Sequence, residues 1–252
     1  MPAKKVYSFF IGFLLLFAVY HFPEFFSAFW IMAVFKIGFL FLAYILARLQ
    51  GWKGLGGYGL GLVPAWWRNL LKGLLIGLTA FAFSFLLSLQ WGYEKINSFP
   101  SLQAIVQQLP MILLMTSIPS VAEDILTRGY LFGHLSKSMN RSTWILLSSG
   151  VFVLNHIWRL NDGAAVIAYL FLLGLVLAYA VWNTQSLWLA FGIHWGANIA
   201  FESTNSLWQT EPLVPHKGST WLLAATWGLV LIVFVLFQRR KRFSDLSRRT
   251  PR

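Results

Sequence analysis

Uninterrupted apolar stretches return along the whole chain, near 6–22, 26–47, 69–89, 108–135, 143–158, 164–182, 186–207 and 220–237. A helix rises about 1.5 Å per residue, so roughly 20 residues cross a hydrocarbon core of about 30 Å. Backbone polar groups in lipid must be satisfied within the spanning segment, and none of these stretches alternates with the two-residue period of a barrel strand. The expected fold is therefore all-α, a polytopic transmembrane bundle of about eight helices. Composition agrees, with 58% hydrophobic and only 11% charged residues among 252. The opening "MPAKKVYSFFIGFLLLFAVY" has the basic start and apolar middle of a signal peptide. No small-residue cleavage site follows it, so it reads as a retained first helix.

A net charge of +12 invites a nucleic-acid reading, but the basic residues sort by loop instead. With both termini cytoplasmic, the inner segments hold Lys4, Lys5, Arg48, Lys53, Arg68, Lys72, Lys137, Arg141 and seven basic residues from Arg239 to Arg252. The outer loops hold Lys95, Arg159 and Lys217. That asymmetry is the positive-inside pattern of an integral membrane protein, expected here in a bacterial plasma membrane with lipid as a partner and no nucleic acid. Many Trp residues, among them Trp52, Trp66, Trp91, Trp144, Trp158 and Trp182, fall near span ends, where amphipathic rings prefer to sit.

Several patterns carry no chemistry. The absence of cysteine excludes disulfides, thiolate zinc sites and cysteine nucleophiles. "GLGGYG" at 54–59 has the form of a phosphate loop but lacks the flanking strand and helix. "NRS" at 140–142 falls on the cytoplasmic side, away from glycosylation. "RRKRFSDLSRRTPR" reads as a solvated topology anchor rather than a headgroup site. His21, His134 and His216 lie near or beyond span ends and receive no role, and Lys36 stands within the second span without an assigned partner.

The remaining ionisable residues are expensive. Arg or Asp at a helix centre in lipid costs at least about 2.5 to 3.5 kcal/mol, so each marks a functional site by default. They are Glu123, Asp124 and Arg128 on the fourth span, His156 on the fifth, and His194 with Asn198 on the seventh. Asp124 with Arg128, and His194 with Asn198, are four apart and share a helix face. Glu123 is rotated about 100° from Asp124, free to meet a different neighbour. Counted from the inner span ends, Glu123 and His156 fall roughly 18 to 20 Å deep and His194 roughly 12 Å, a common level within boundary error.

A carboxylate in a dry setting is pushed toward the range where it takes a proton from water and returns it. Glu123 is the candidate base, His156 shares the water, and His194 with Asn198 donates to a developing oxyanion. The same groups would also serve as a purely structural polar network, or as a relay for proton-coupled transport, although no internal repeat supports transport.

"EDILTR" (123–128), "FVLNH" (152–156) and "HWGAN" (194–198), in that order, resemble the motifs of the CPBP family of CAAX-protease and bacteriocin-processing membrane proteins. The resemblance covers roughly residues 105–208. It divides the chain into N-terminal helices (1–104), a catalytic core (105–208) and a last helix with a basic tail (209–252). It implies an intramembrane endopeptidase acting on a membrane-associated or membrane-delivered peptide. Glu123 and His156 would be the water-activating pair, His194 and Asn198 the oxyanion-stabilising pair, and Asp124 and Arg128 supports. The family usually carries Glu where Asp124 stands. It also includes scaffold or immunity proteins, which leaves a non-enzymatic alternative. No cofactor is expected. The alternative is zinc held by Glu123, His156 and His194, which lacks the HExxH pattern. Gly192 and Gly196 flank His194 in a GxxxG spacing that permits close helix packing.

Overall fold

A computed structural model describes residues 3–213 and 217–249, with side chains described from 6 to 240. His216 and the side chains of the basic tail beyond 240 lie outside the described residues. The helices are α1 (Ala3–His21), α2 (Phe29–Leu49), α3 (Trp66–Gln90), α4 (Leu102–Asp124), α5 (Tyr130–Leu135), α6 (Arg141–Asn155), α7 (Ala164–Thr184), α8 (Trp188–Ser206) and α9 (Gly218–Arg249). Two three-residue strands, β1 (Glu94–Ile96) and β2 (Thr210–Pro212), pair antiparallel with Lys95 opposite Glu211.

The helical bundle is as expected, but among the described residues six segments, not eight, are long and apolar enough to cross a membrane. α6 is one exception, because its helix is only 15 residues long. The span expected over 143–158 stops at Asn155, and a 3-10 turn, Ile157–Asp162, follows. Its start is set by Asn140, whose side chain accepts from Thr143 N at 2.9 Å, so "NRS" is a helix cap. α8 is the other exception, diluted by the polar side chains of its second half.

α4 and α5 form one rod, Leu102–Leu135, joined by a π-helical turn over Ile125–Gly129. Such a turn inserts a residue into the ladder and frees carbonyls, which here find side-chain donors. The Thr127 hydroxyl donates to Glu123 O at 2.8 Å, and the Ser148 hydroxyl of α6 donates to Thr127 O at 3.0 Å. The π turn also lets the backbone come close to the 54–59 loop. A Cβ on Gly129 would lie 2.9 Å from Tyr58 O, and one on Gly133 2.7 Å from Gly57 O. "GLGGYG" is therefore a packing wedge.

α3 and α8 interlock through glycines on both sides. A Cβ on Gly73 would lie 2.8 Å from Gly192 Cα, and one on Gly196 2.5 Å from Leu74 O. Gly77 and Gly192 would overlap backbone carbonyls of the facing helix outright. The GxxxG spacing read in α8 thus meets a second one, Gly73 and Gly77, in α3. Trp144, expected in an interfacial belt, is instead fully buried between the rings of Phe132 and Trp182. It sits on the face of α6 that turns into the bundle.

Candidate active site

The last turn of α4 places Glu123 inward, 6% exposed. Two imidazoles approach it from different helices, each toward a different oxygen. His156 Nε2 lies 3.5 Å from Glu123 Oε1, and His194 Nε2 lies 3.8 Å from Oε2. His156 occupies the residue just after α6, with φ −98° and ψ 44°, so the end of that helix aims the ring. Its Nδ1 donates to Phe152 O at 2.9 Å, leaving Nε2 to face Glu123. The Phe152 ring packs edge-on against both His156 and His194.

Asp124 and Arg128 pair directly at the π turn, both fully buried. The guanidinium also covers the Phe152 ring, 4.7 Å from its centroid. The pair is not closed on itself, as its four-residue spacing on one helix face alone would leave it. Asp124 Oδ1 also accepts from His194 Nδ1 at 3.0 Å, which fixes the orientation of that ring. Asn198, one turn further along α8, donates to the Ser120 hydroxyl at 2.9 Å and keeps a second N–H.

Glu123, His156, His194 and Asn198 all line one cavity of about 210 Å³, together with Arg159, Tyr169 and Thr220. Phe81, Arg159, Phe201 and Thr220 are shared with a wider cavity of about 510 Å³. That second cavity is lined by Glu94, Asp162, Glu211 and Lys217, from the segments after α3, α6 and α8. The smaller cavity therefore opens toward these connecting segments. Burial there pushes the Glu94 carboxyl up from its usual range, against the pull of the Ser219 hydroxyl.

Several groups at this site escaped the sequence reading. Asn155 Nδ2 donates to Glu123 Oε1 at 3.1 Å, and the Tyr20 hydroxyl donates to Oε2 at 3.4 Å. His21, expected to be unremarkable, is 5% exposed and touches Asn155 through Nε2 at 3.0 Å. Lys36 has partners after all. Its ammonium donates to Tyr20 O at 3.0 Å, stands 4.0 Å from Glu24 Oε1 and lies over the Tyr20 ring. An uncharged amide beside a His, and a His at a span end, give little signal in a single sequence.

Among the described residues no group of three or more His, Asp or Glu side chains is arranged to hold a metal ion. The two imidazoles face separate oxygens of Glu123, and His194 is turned by its bond to Asp124.

A membrane-type helical bundle that gathers a carboxylate, two imidazoles and an amide around an internal cavity defines a class, the polytopic membrane proteins with a buried cluster of polar and titratable side chains. Residues 105–200 match the family model described as Rce1-like, type II CAAX prenyl endopeptidase Rce1-like. The match supports assigning the chain to the CAAX-protease, or CPBP, family, a family of proteases, and it spans all four of these residues. No curated protein matches the chain.

Proposed function

We propose that the chain is an intramembrane endopeptidase that hydrolyses a peptide bond with a water activated by Glu123 and His156. The observation that carries this reading is the Glu123 carboxylate set between the Nε2 atoms of His156 and His194, at 3.5 and 3.8 Å, on the wall of a cavity. The similarity to a family of CAAX prenyl endopeptidases over 105–200 supports the reaction class.

In this mechanism a water held by Glu123 and His156 attacks the carbonyl carbon of the scissile bond. Its proton passes to the Glu123 carboxylate as the C–O bond forms. The carbonyl oxygen becomes an oxyanion, which accepts hydrogen bonds from the free N–H of Asn198 and from His194 when its Nε2 carries a proton. Asp124, bonded to Nδ1, stabilises that protonated ring, as a carboxylate behind a catalytic imidazole does elsewhere. Collapse of the intermediate breaks the C–N bond, and Glu123 returns its proton to the leaving amine. Atoms and charge balance without a metal.

A cavity of about 210 Å³ is too small to take a folded domain. Its opening lies on the side away from the basic termini, so we place the entry on the non-cytoplasmic face.

Glu123→Gln keeps shape and hydrogen bonding but removes the base. Mass spectrometry of membrane peptides from cells carrying wild-type or Glu123→Gln protein should show cleavage products with the wild type alone. The purified protein, offered internally quenched peptides with and without a prenyl group, should show the same dependence and keep its rate in chelator. Full activity of Glu123→Gln sinks the mechanism, and a chelator-sensitive rate restores the metal-dependent alternative.

A further inference from the structure

Glu123 does not stand alone with the family-matched helices. A line of buried and half-buried polar groups runs from it into the first helical hairpin, which lies outside residues 105–200. Glu123 Oε1 accepts from Asn155 Nδ2 at 3.1 Å, Asn155 Oδ1 meets His21 Nε2 at 3.0 Å, and His21 Nδ1 meets Glu24 Oε2 at 2.6 Å. Glu24 also accepts from Trp158 Nε1 at 2.8 Å and has the Lys36 ammonium 4.0 Å away.

Donor and acceptor types give this line one direction while Glu123 is a carboxylate. A carboxylate can only accept, so the Asn155 NH2 group must point to Glu123. The Asn155 carbonyl then faces His21 and needs a donor, so His21 carries a proton on Nε2. Glu24 accepts from Trp158 Nε1, lies beside Lys36 and meets His21 Nδ1 at 2.6 Å, which holds the ring with Nε2 toward Asn155. The His21 ring is held between Phe17 and Tyr20, with centroids 4.3 and 5.1 Å away. It has little freedom to turn.

We propose that Glu24 and His21 form a positioning relay that locks the Asn155 amide with its donor toward Glu123, so that the N-terminal hairpin completes the catalytic geometry of the core. Released from His21, the amide rotates about its side-chain torsions and no longer orients the carboxylate toward the water site. A base misplaced by a fraction of an ångström loses rate, not substrate affinity. The relay rests on the reading of Glu123 as the base, but its geometry can be tested without hydrolysis.

Two variants separate positioning from bulk packing. His21→Leu fills much of the space and removes the donor to Asn155, whereas His21→Gln places an amide N–H close to where Nε2 was. On a quenched peptide that the wild type cleaves, His21→Leu should lower kcat on the order of tenfold with little change in KM, and His21→Gln should recover most of that loss. A purely structural role would make the two alike, or would lower folded yield without a kcat-selective effect. The second readout needs no substrate. Dicyclohexylcarbodiimide modifies apolar carboxyl groups that have taken up a proton, and the adduct on Glu123 is mapped by peptide mass spectrometry. The adduct should form several-fold faster in His21→Leu than in wild type and His21→Gln. Equal labelling in all three, or equal kcat in His21→Leu and wild type, overturns the relay. If no peptide is cleaved by the wild type, the protease reading fails and the labelling still decides the relay.

Discussion

Asp124 shows how much one side chain can settle. It is fully buried, paired with an equally buried Arg128 and bonded to His194 Nδ1. Removing one partner of a buried ion pair leaves an uncompensated charge, which costs about 3 to 5 kcal/mol. Asp124→Asn should therefore lower the unfolding temperature in detergent clearly, and more than Asn198→Ala, whose site is half-buried. Both variants should also slow hydrolysis, which separates stability from rate. Glu123, Arg128, His156 and His194 were legible in the sequence because ionisable groups are rare and costly in apolar helices. Asp124 was legible as a partner of Arg128 but not of His194, since a four-residue spacing reports only its own helix. His21, Glu24 and Asn155 were hidden for a different reason. Two lie near a span end, where polar residues are ordinary, and the third is a neutral amide.

At the level of elements, the interlocked glycine faces of α3 and α8 hold His194 and Asn198 where the core needs them. Any side chain at Gly77 meets the Ile193 carbonyl of α8, so the two helices must separate. Overpacking of this kind costs about 1 to 3 kcal/mol or more. Gly77→Leu should reduce the monodisperse fraction in size-exclusion chromatography and abolish cleavage. Gly150→Ala on α6, where nothing lies within 4 Å of the added carbon, should do neither. The GxxxG of α8 could be read from spacing alone, but its mate could not, because nothing in one chain says which small-residue faces meet. The short α6 and the π turn were also illegible. Both depend on where tertiary partners relieve the backbone: Asn140 at one end of α6, and Thr127 and Ser148 at the widened turn.

For the molecule as a whole, the asymmetry of basic residues and the direction of the cavity together support the non-cytoplasmic entrance proposed above. The chain has no cysteine, so single introduced thiols report their own position without background. Asn205→Cys, exposed at the rim of the wider cavity, should react with a membrane-impermeant maleimide in intact cells. Ser138→Cys, exposed between α5 and α6, should react only after the membrane is permeabilised. The reverse pattern would put the entrance on the cytoplasmic side.

The site is assembled from distant parts of the chain. His21 meets a residue 134 positions later, and Asp124 meets one 70 positions later. During synthesis α3 must wait in the membrane, glycine face unmatched, until α8 has been made. An emerging chain therefore holds no complete centre until most of it has been inserted. Hydrolysis by the proposed centre would therefore begin only after most of the chain has left the ribosome.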